Sequence, residues 1–271
     1  MKKTIAIVLV AVLALGLLAG CGKKADDKTI TVAASPTPHA EILKVAGELL
    51  AKEGYTLKVT EYSDYVQPNN VVEDGELDAN YFQHVPYLES FNEENGTHLV
   101  SVAMIHYEPF AIYAGTKDSL DALTDGDQIA VPNDTTNRAR ALLLLQDKGL
   151  LTLKDGVGLD CTVLDIVENP LNLKIVEMEA AQISNVRDSV ALVVLNGNFA
   201  GQAGLHAGTD GVAVEDSKSV AAVTYANVLV VKEGNENLPK IQALKKALLS
   251  DEVRDFINNN TEYAGGVVPL F

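Results

Sequence analysis

Thr29-Ile-Thr-Val-Ala-Ala34, then Pro38 through Lys52, then Tyr55-Thr-Leu-Lys-Val59 is the stretch that decides the fold. The first piece is a β-run. The second repeats apolar side chains at helical spacing, with Ile42, Leu43, Ala46, Leu49 and Leu50 on one face. Thr37 is placed to cap that helix, Pro38 suits its first turn, and Gly54 suits its end. In the third piece Tyr55, Leu57 and Val59 alternate with polar residues, which spells a second strand. Strand, helix, strand in this order implies parallel strands flanked by helices.

The alternation continues outward. A helix is expected near 68–74, a strand near 77–82, a helix near 86–94 and a strand near 99–105. A second unit is expected after Tyr113-Ala-Gly115, with a strand over 128–131 and a helix over 136–148. Strands near 173–176, 190–194 and 212–214 and helices near 180–187 and 198–207 follow. A long strand over 223–231 and two helices within 238–260 close the chain. The expected class is α/β, a two-lobed clamp with residues 29–114 in the first lobe, 115–223 in the second and 224–271 returning to the first. Ligands of open parallel sheets bind at the carboxyl ends of strands, and lobe interfaces favour small-molecule sites.

The N-terminus reads as an export signal. Lys2 and Lys3 precede an apolar and Gly stretch from Ile5 to Leu18, shorter than the roughly 20 residues that span a bilayer. It ends in Leu18-Ala-Gly-Cys21, which looks like the cleavage box of lipoprotein signals. The expectation is a cleaved segment 1–20, a diacylglycerol on Cys21, a short tether over 21–28, and lipid as the sole membrane attachment on the extracytoplasmic side. With Cys21 lipidated, Cys161 has no intramolecular partner, so the fold rests on its core without a disulfide. The formal charge of -16 argues against nucleic acid as a partner.

Sequence signals for an enzyme are scarce: no nucleophile elbow, phosphate-binding loop or H-E-x-x-H helix occurs. The densest polar-aromatic segment runs from Asp64 to Tyr87. Phe82, His84 and Tyr87 follow a strand, with Tyr65 upstream. Their rings either pack the core or sandwich an apolar or thioether side chain. In Val131-Pro-Asn-Asp-Thr-Thr-Asn-Arg-Ala-Arg140, Asn137 and Arg140 share a helix face near its N-terminus, where an anion is favoured. A guanidinium can grip a carboxylate through two bonds. Asn227 interrupts an apolar strand, and Asn198 opens a helix. Amides with an arginine suit a zwitterion. The five histidines are scattered with no metal-ligand spacing, so neither a metal nor another cofactor is expected.

At these residues the sequence resembles the MetQ/NlpA family of methionine-binding lipoproteins. The matching stretches are A-A-S-P-T-P-H-A-E-I-L from Ala33, D-Y-V-Q-P-N-N from Asp64, and L-D-A-N-Y-F-Q-H-V-P-Y-L to Leu88. H-Y-E-P-F-A-I-Y from His106, V-P-N-D-T-T-N-R-A-R-A-L-L-L-L from Val131, and L-D-I-V-E-N-P-L-N-L-K from Leu164 follow. N-G-N-F-A-G-Q-A-G-L from Asn196 and Y-A-N from Tyr225 complete the set. The resemblance implies a periplasmic-binding-protein-like (type II) clamp that captures L-methionine for an ABC importer, a permease with its ATPase. It implies a methionine side chain held by Tyr65, Phe82, His84 and Tyr87, and ligand backbone contacts from Arg140, Asn198 and Asn227. Asn137 is added by helical spacing. D-methionine or a methionine-containing dipeptide is the nearest alternative ligand, and a metal-binding lipoprotein a further one. Phe110-Ala111 stands where the family often has Met-Gly, and Arg138-Ala139 where a smaller or apolar pair is expected.

Overall fold

The computed structural model describes residues 28–216 and 221–271. The export segment, Cys21 and the tether as far as Asp27 lie outside the described residues. The chain begins with β1 (Thr29–Ala34), a wide helical turn (Pro36–Ala40), α1 (Glu41–Lys52), β2 (Thr56–Glu61), α2 (Gln67–Glu73), β3 (Ala79–His84), α3 (Val85–Asn95) and β4 (Leu99–Tyr107). Next come β5 (Ala111–Ala114), β6 (Gln128–Pro132), α4 (Thr135–Asp147), β7 (Thr152–Leu153), β8 (Ile166–Glu168) and β9 (Lys174–Met178). A run of tight turns (Ala180–Ser189) leads to β10 (Leu192–Leu195), α5 (Gly197–Gln202), α6 (Ala207–Asp210) and β11 (Gly211–Val214). The chain ends with α7 (Ala221–Thr224), β12 (Ala226–Lys232), α8 (Pro239–Leu248), α9 (Asp251–Asn259) and β13 (Val268–Pro269).

Two sheets result. The first has the order β13-β4-β12-β3-β1-β2, the second β11-β5-β10-β6-β9. β1 pairs in parallel with β2 and β3, and β6 with β9 and β10, because helices and turns carry the chain back between them. β12 runs antiparallel to β3 and β4, and β5 antiparallel to β10 and β11. The sheets are therefore mixed. The antiparallel strands are those nearest the crossings from one sheet to the other, β4 into β5 and β11 into β12. The strand Ala111–Ala114 pairs in the second sheet, so the chain crosses before Ala111 and not after Ala114.

Each sheet holds its own core. Ile30, Val32, Leu43, Leu50, Leu229, Ile241 and Leu244 fill the first. Ile112, Ile129, Leu142, Leu145 and Val194 fill one face of the second. The helix expected from Pro38 becomes regular only at Glu41. Thr37 has extended dihedrals and caps nothing, since the preceding turn already delivers the chain to α1. The strand expected from Val223 starts at Ala226, with Val223 in α7 and exposed. Asp78 ties the base of the first sheet together. Its carboxylate accepts from the Thr31 N–H and hydroxyl and from Lys240 on α8.

Where β5 ends, Gly115 lies against the chain entering β10. A Cβ at this position would meet the carbonyl oxygens of Val190, Ala191 and Arg187 at 2.3, 2.8 and 2.8 Å. Backbone cannot retreat as a side-chain tip can, so Gly115→Ala is expected to destabilise the fold by about 1–3 kcal/mol. Urea unfolding measures this, and an unchanged midpoint would refute the contact.

Candidate ligand-binding site

Residues at or after the carboxyl ends of β3, β6 and β10 come together in one cavity. The loop from Asp64, the end of β3 and the start of α3 supply Tyr65, Phe82, His84 and Tyr87. The start of α4 supplies Asn137 and Arg140, the start of α5 supplies Asn198, and β12 supplies Asn227. All of these line one cavity, together with Gln83, Glu108, Asn196 and Gly197.

Aromatic rings form one part of its wall. The Tyr65 ring lies 5.7 Å from Phe82, 5.6 Å from Tyr87 and 4.9 Å from Phe199, centroid to centroid. Tyr87 donates its hydroxyl to the Tyr65 carbonyl at 3.0 Å, and Tyr65 donates its own to Asn198 Oδ1 at 2.6 Å. His84 accepts the Tyr87 N–H at Nδ1, so its ring proton sits on Nε2 and is donated to Asn137 Oδ1 at 3.0 Å. Buried amides brace this wall from behind. Asn69, Asn80 and Gln83 bond one another at 2.6–3.0 Å, fixing α2 to β3.

The polar part is dominated by Arg140, which is buried. Its Nε and Nη2 donate to the two oxygens of Glu215, and Nη2 also reaches the Glu108 carbonyl at 3.1 Å. The guanidinium lies over Tyr225, 4.0 Å from the ring centre. Burial opposes its charge, but Glu215 beside it more than offsets this and keeps the guanidinium protonated; Arg140 in turn holds the Glu215 carboxyl low. One edge of the guanidinium thus serves Glu215, so a two-bond grip on a ligand through that edge is ruled out. Nη1 makes no hydrogen bond among the described residues.

Asn137 lines the cavity and is also engaged within the protein. Its Oδ1 accepts from His84 and from Asn196 Nδ2, and its Nδ2 donates to the helix-capping Asp134. It organises neighbours. Two buried side-chain atoms of the cavity wall stay without partners, the Asn198 Nδ2 donor and the Asn196 Oδ1 acceptor. Asn227 Oδ1 faces His39 Nε2 at 3.0 Å.

Glu108, Asn196, Gly197 and Glu215 are absent from the sequence-based set. A lone acid after the apolar run Ile105-His-Tyr107 was the available signal for Glu108. The histidines are scattered in sequence but not in space: His39, His106 and Glu108 bring ligand-type atoms within 4.8 Å of one another, all buried. Among the cavity-lining residues there is no serine, threonine or cysteine to act as a nucleophile.

Burial, with Arg140 nearby, lowers His84 from 6.5 to about 4; burial lowers His39 to about 4 and His106 to about 3. Unfolded imidazoles take up protons near pH 6.5, while these wait until about pH 4 or below, so their contribution to stability is lost as pH falls between those values. Burial raises Glu108 and Asp134, which act in the opposite sense. His84→Gln should therefore flatten the fall in unfolding free energy from pH 7 to 4 by up to about 3 kcal/mol. Urea titrations at the two pH values check this, and parallel profiles would contradict it.

Comparisons with known proteins give the chain a family. The family model described as NlpA lipoprotein matches residues 30–271. The D-methionine-binding lipoprotein MetQ of Salmonella typhimurium is 44% identical over 256 residues, 93% of this chain and 92% of that one. A crystal structure from Ruminococcus gnavus is 64% identical with a TM-score of 0.88, covering 90% of this chain and all of the other. A nutrient-binding protein from Burkholderia cenocepacia, solved bound to methionine, is 40% identical with a TM-score of 0.84, covering 89% of this chain and all of the other. The two-lobed α/β fold is that of these substrate-binding proteins, and the chain belongs to the NlpA lipoprotein family.

Proposed function

We propose that this protein captures methionine outside the membrane, without turning it over, and delivers it to an ABC importer, a permease with its ATPase. One observation carries the reading. A single cavity joins a wall of Tyr65, Phe82, Tyr87 and His84 to a wall holding Arg140, Glu108 and the unpartnered amide atoms of Asn196 and Asn198. The rings suit a thioether, whose sulfur gains by contact with aromatic edges. The charged wall suits an amino acid's carboxylate and ammonium. Relatives named for D-methionine and for methionine support the same class of ligand.

In this reading Tyr65, Phe82, His84 and Tyr87 hold the side chain. Arg140 Nη1, Asn198 and Asn227 hold the backbone groups, and Asn137 positions His84 and Asn196. The first lobe comprises the first sheet with α8 and α9, and the second lobe the second sheet. Residues 1–20 are removed on export, and Cys21 carries the lipid that keeps the protein at the extracytoplasmic face. No helix among the described residues is long and apolar enough to cross a membrane.

A charge-assisted hydrogen bond contributes about 1.5–3 kcal/mol, so Arg140→Ala should weaken methionine binding by roughly 10- to several-hundred-fold. The substitution also strands Glu215, so Arg140→Ala with Glu215→Gln separates lost binding from lost folding. Arg138 points elsewhere, donating to the Cys161 carbonyl and facing Glu177, so Arg138→Ala should change affinity little. Calorimetry with methionine on the folded variants decides; equal affinities throughout would place the carboxylate elsewhere. For the anchor, Cys21→Ala should abolish acyl labelling and release the protein from membranes, and unchanged labelling would sink the lipid assignment.

A further inference from the structure

A second, roomier cavity adjoins the first at α5, which presents Asn198 to the one and Gly201 to the other, with Gly197 lining both. The first lobe supplies Glu41 at the start of α1 and the Glu262-Tyr263 turn after α9. The second supplies Tyr113 of β5 and the link from α5 to α6. The cavity therefore straddles the seam between the lobes. Glycines let the two backbones meet there: a Cβ on Gly201 would fall 3.3 Å from Thr37 Cγ2, and one on Gly208 2.5 Å from the Ala264 carbonyl oxygen.

Two features of this cavity are unmatched within the protein. Tyr113 is fully buried, yet its hydroxyl has no hydrogen-bond partner among the described residues. Burial, with the charges of Asp210 and Glu108 in range, pushes the phenol up, so it stays protonated and remains a donor. A buried donor without a partner costs stability, so the fold gains nothing from this hydroxyl that a phenylalanine would not supply. The second feature is charge. Glu41 is half-buried and accepts the Tyr263 hydroxyl at 2.7 Å, while Glu262 is exposed. No lysine or arginine is among the lining residues.

We infer that this cavity binds a hydroxylated amine, with Glu41 and Glu262 receiving its ammonium and the Tyr113 hydroxyl donating to one of its oxygens. An ammonium brings the positive charge that the lining lacks. A plain alkylamine offers donors only and leaves the Tyr113 proton unmatched. A carboxylate at Tyr113 would face Asp210 and Glu108, so a neutral hydroxyl is the better acceptor. Leu205, Pro38 and Val267 give apolar surface for the carbon frame. A single metal ion fits less well, because Glu41, Glu262 and His206 do not bring their ligand atoms together as one group. The inference stands apart from the methionine reading, since none of the three binding groups lines the first cavity.

Calorimetry with glucosamine, glucose (which lacks the ammonium) and cyclohexylamine (which lacks hydroxyls) tests the site. Wild-type protein should bind one glucosamine, preferred over both controls by about 10-fold or more. Glu41→Gln should weaken glucosamine and cyclohexylamine alike by about 10-fold. Tyr113→Phe should weaken glucosamine by about 3- to 10-fold and leave cyclohexylamine within about twofold. The urea midpoint of the free Tyr113→Phe protein should hold or rise. A fall would mean that the hydroxyl already has a partner, and would overturn its role. Excess methionine should leave glucosamine binding in place, and competition between the two would overturn a separate site. Absence of saturable glucosamine binding, or an equal loss in Glu93→Gln on α3, would overturn the inference, the latter in favour of attraction to overall charge. Displacement of glucosamine by equimolar magnesium chloride would overturn it in favour of a cation site. Protein that binds glucosamine but no methionine would overturn the methionine reading alone.

Discussion

A guanidinium stays buried only where its N–H groups find acceptors, and Arg140 finds them at the seam between the lobes. The acceptors come from both crossings. The Glu108 carbonyl belongs to the passage from β4 to β5, and the Glu215 carboxylate follows β11 on the way back. Tyr107 at the end of β4 also donates to Glu215, and Tyr225 before β12 offers its ring face. One side chain on α4 therefore pins both crossings at a single point. The cavity is built around that pin: Glu108 turns its side chain toward α5, and Asn137 lies one helical turn before Arg140.

Around the pin, polar residues do two kinds of work. Asn69, Asn80 and Gln83 are satisfied among themselves and shape the wall without reserve for a ligand. Asn196 and Asn198 each use one end of the amide within the protein and keep the other unpartnered. Side-chain amides of the same kind are thus fully engaged or left with one unpartnered end according to how many of their groups the fold consumes. Asn137 shows the limit, since one oxygen serves two donors from elements far apart in the chain.

Much of this was legible in the sequence, for a physical reason. Period-2 and period-3.6 patterns report burial on one face, so β1, α1, β2, β3, α4 and the final two helices announce themselves. The segment ending at Tyr87 and the one ending at Arg140 stand out because polar and aromatic residues cluster at strand ends. What stayed hidden depends on long-range pairing. β5 is four apolar residues, as readable as a lobe's end as it is as another's beginning. The hairpin of β7 and β8 is too short to show a period. Glu215 gives no local sign that it occupies an edge of Arg140, and His39 and His106 meet only after the first sheet forms.

The cross-lobe links described above have a consequence for signalling. Tyr65 to Asn198 and His84 to Asn137 join neutral partners, and a neutral hydrogen bond adds only about 0.5–1.5 kcal/mol net because water offers a substitute. Such links register the two halves without welding them. On the methionine reading, a cargo that satisfies groups on both sides would add to these weak links. On that reading the register of the two halves would itself carry a mark of occupancy.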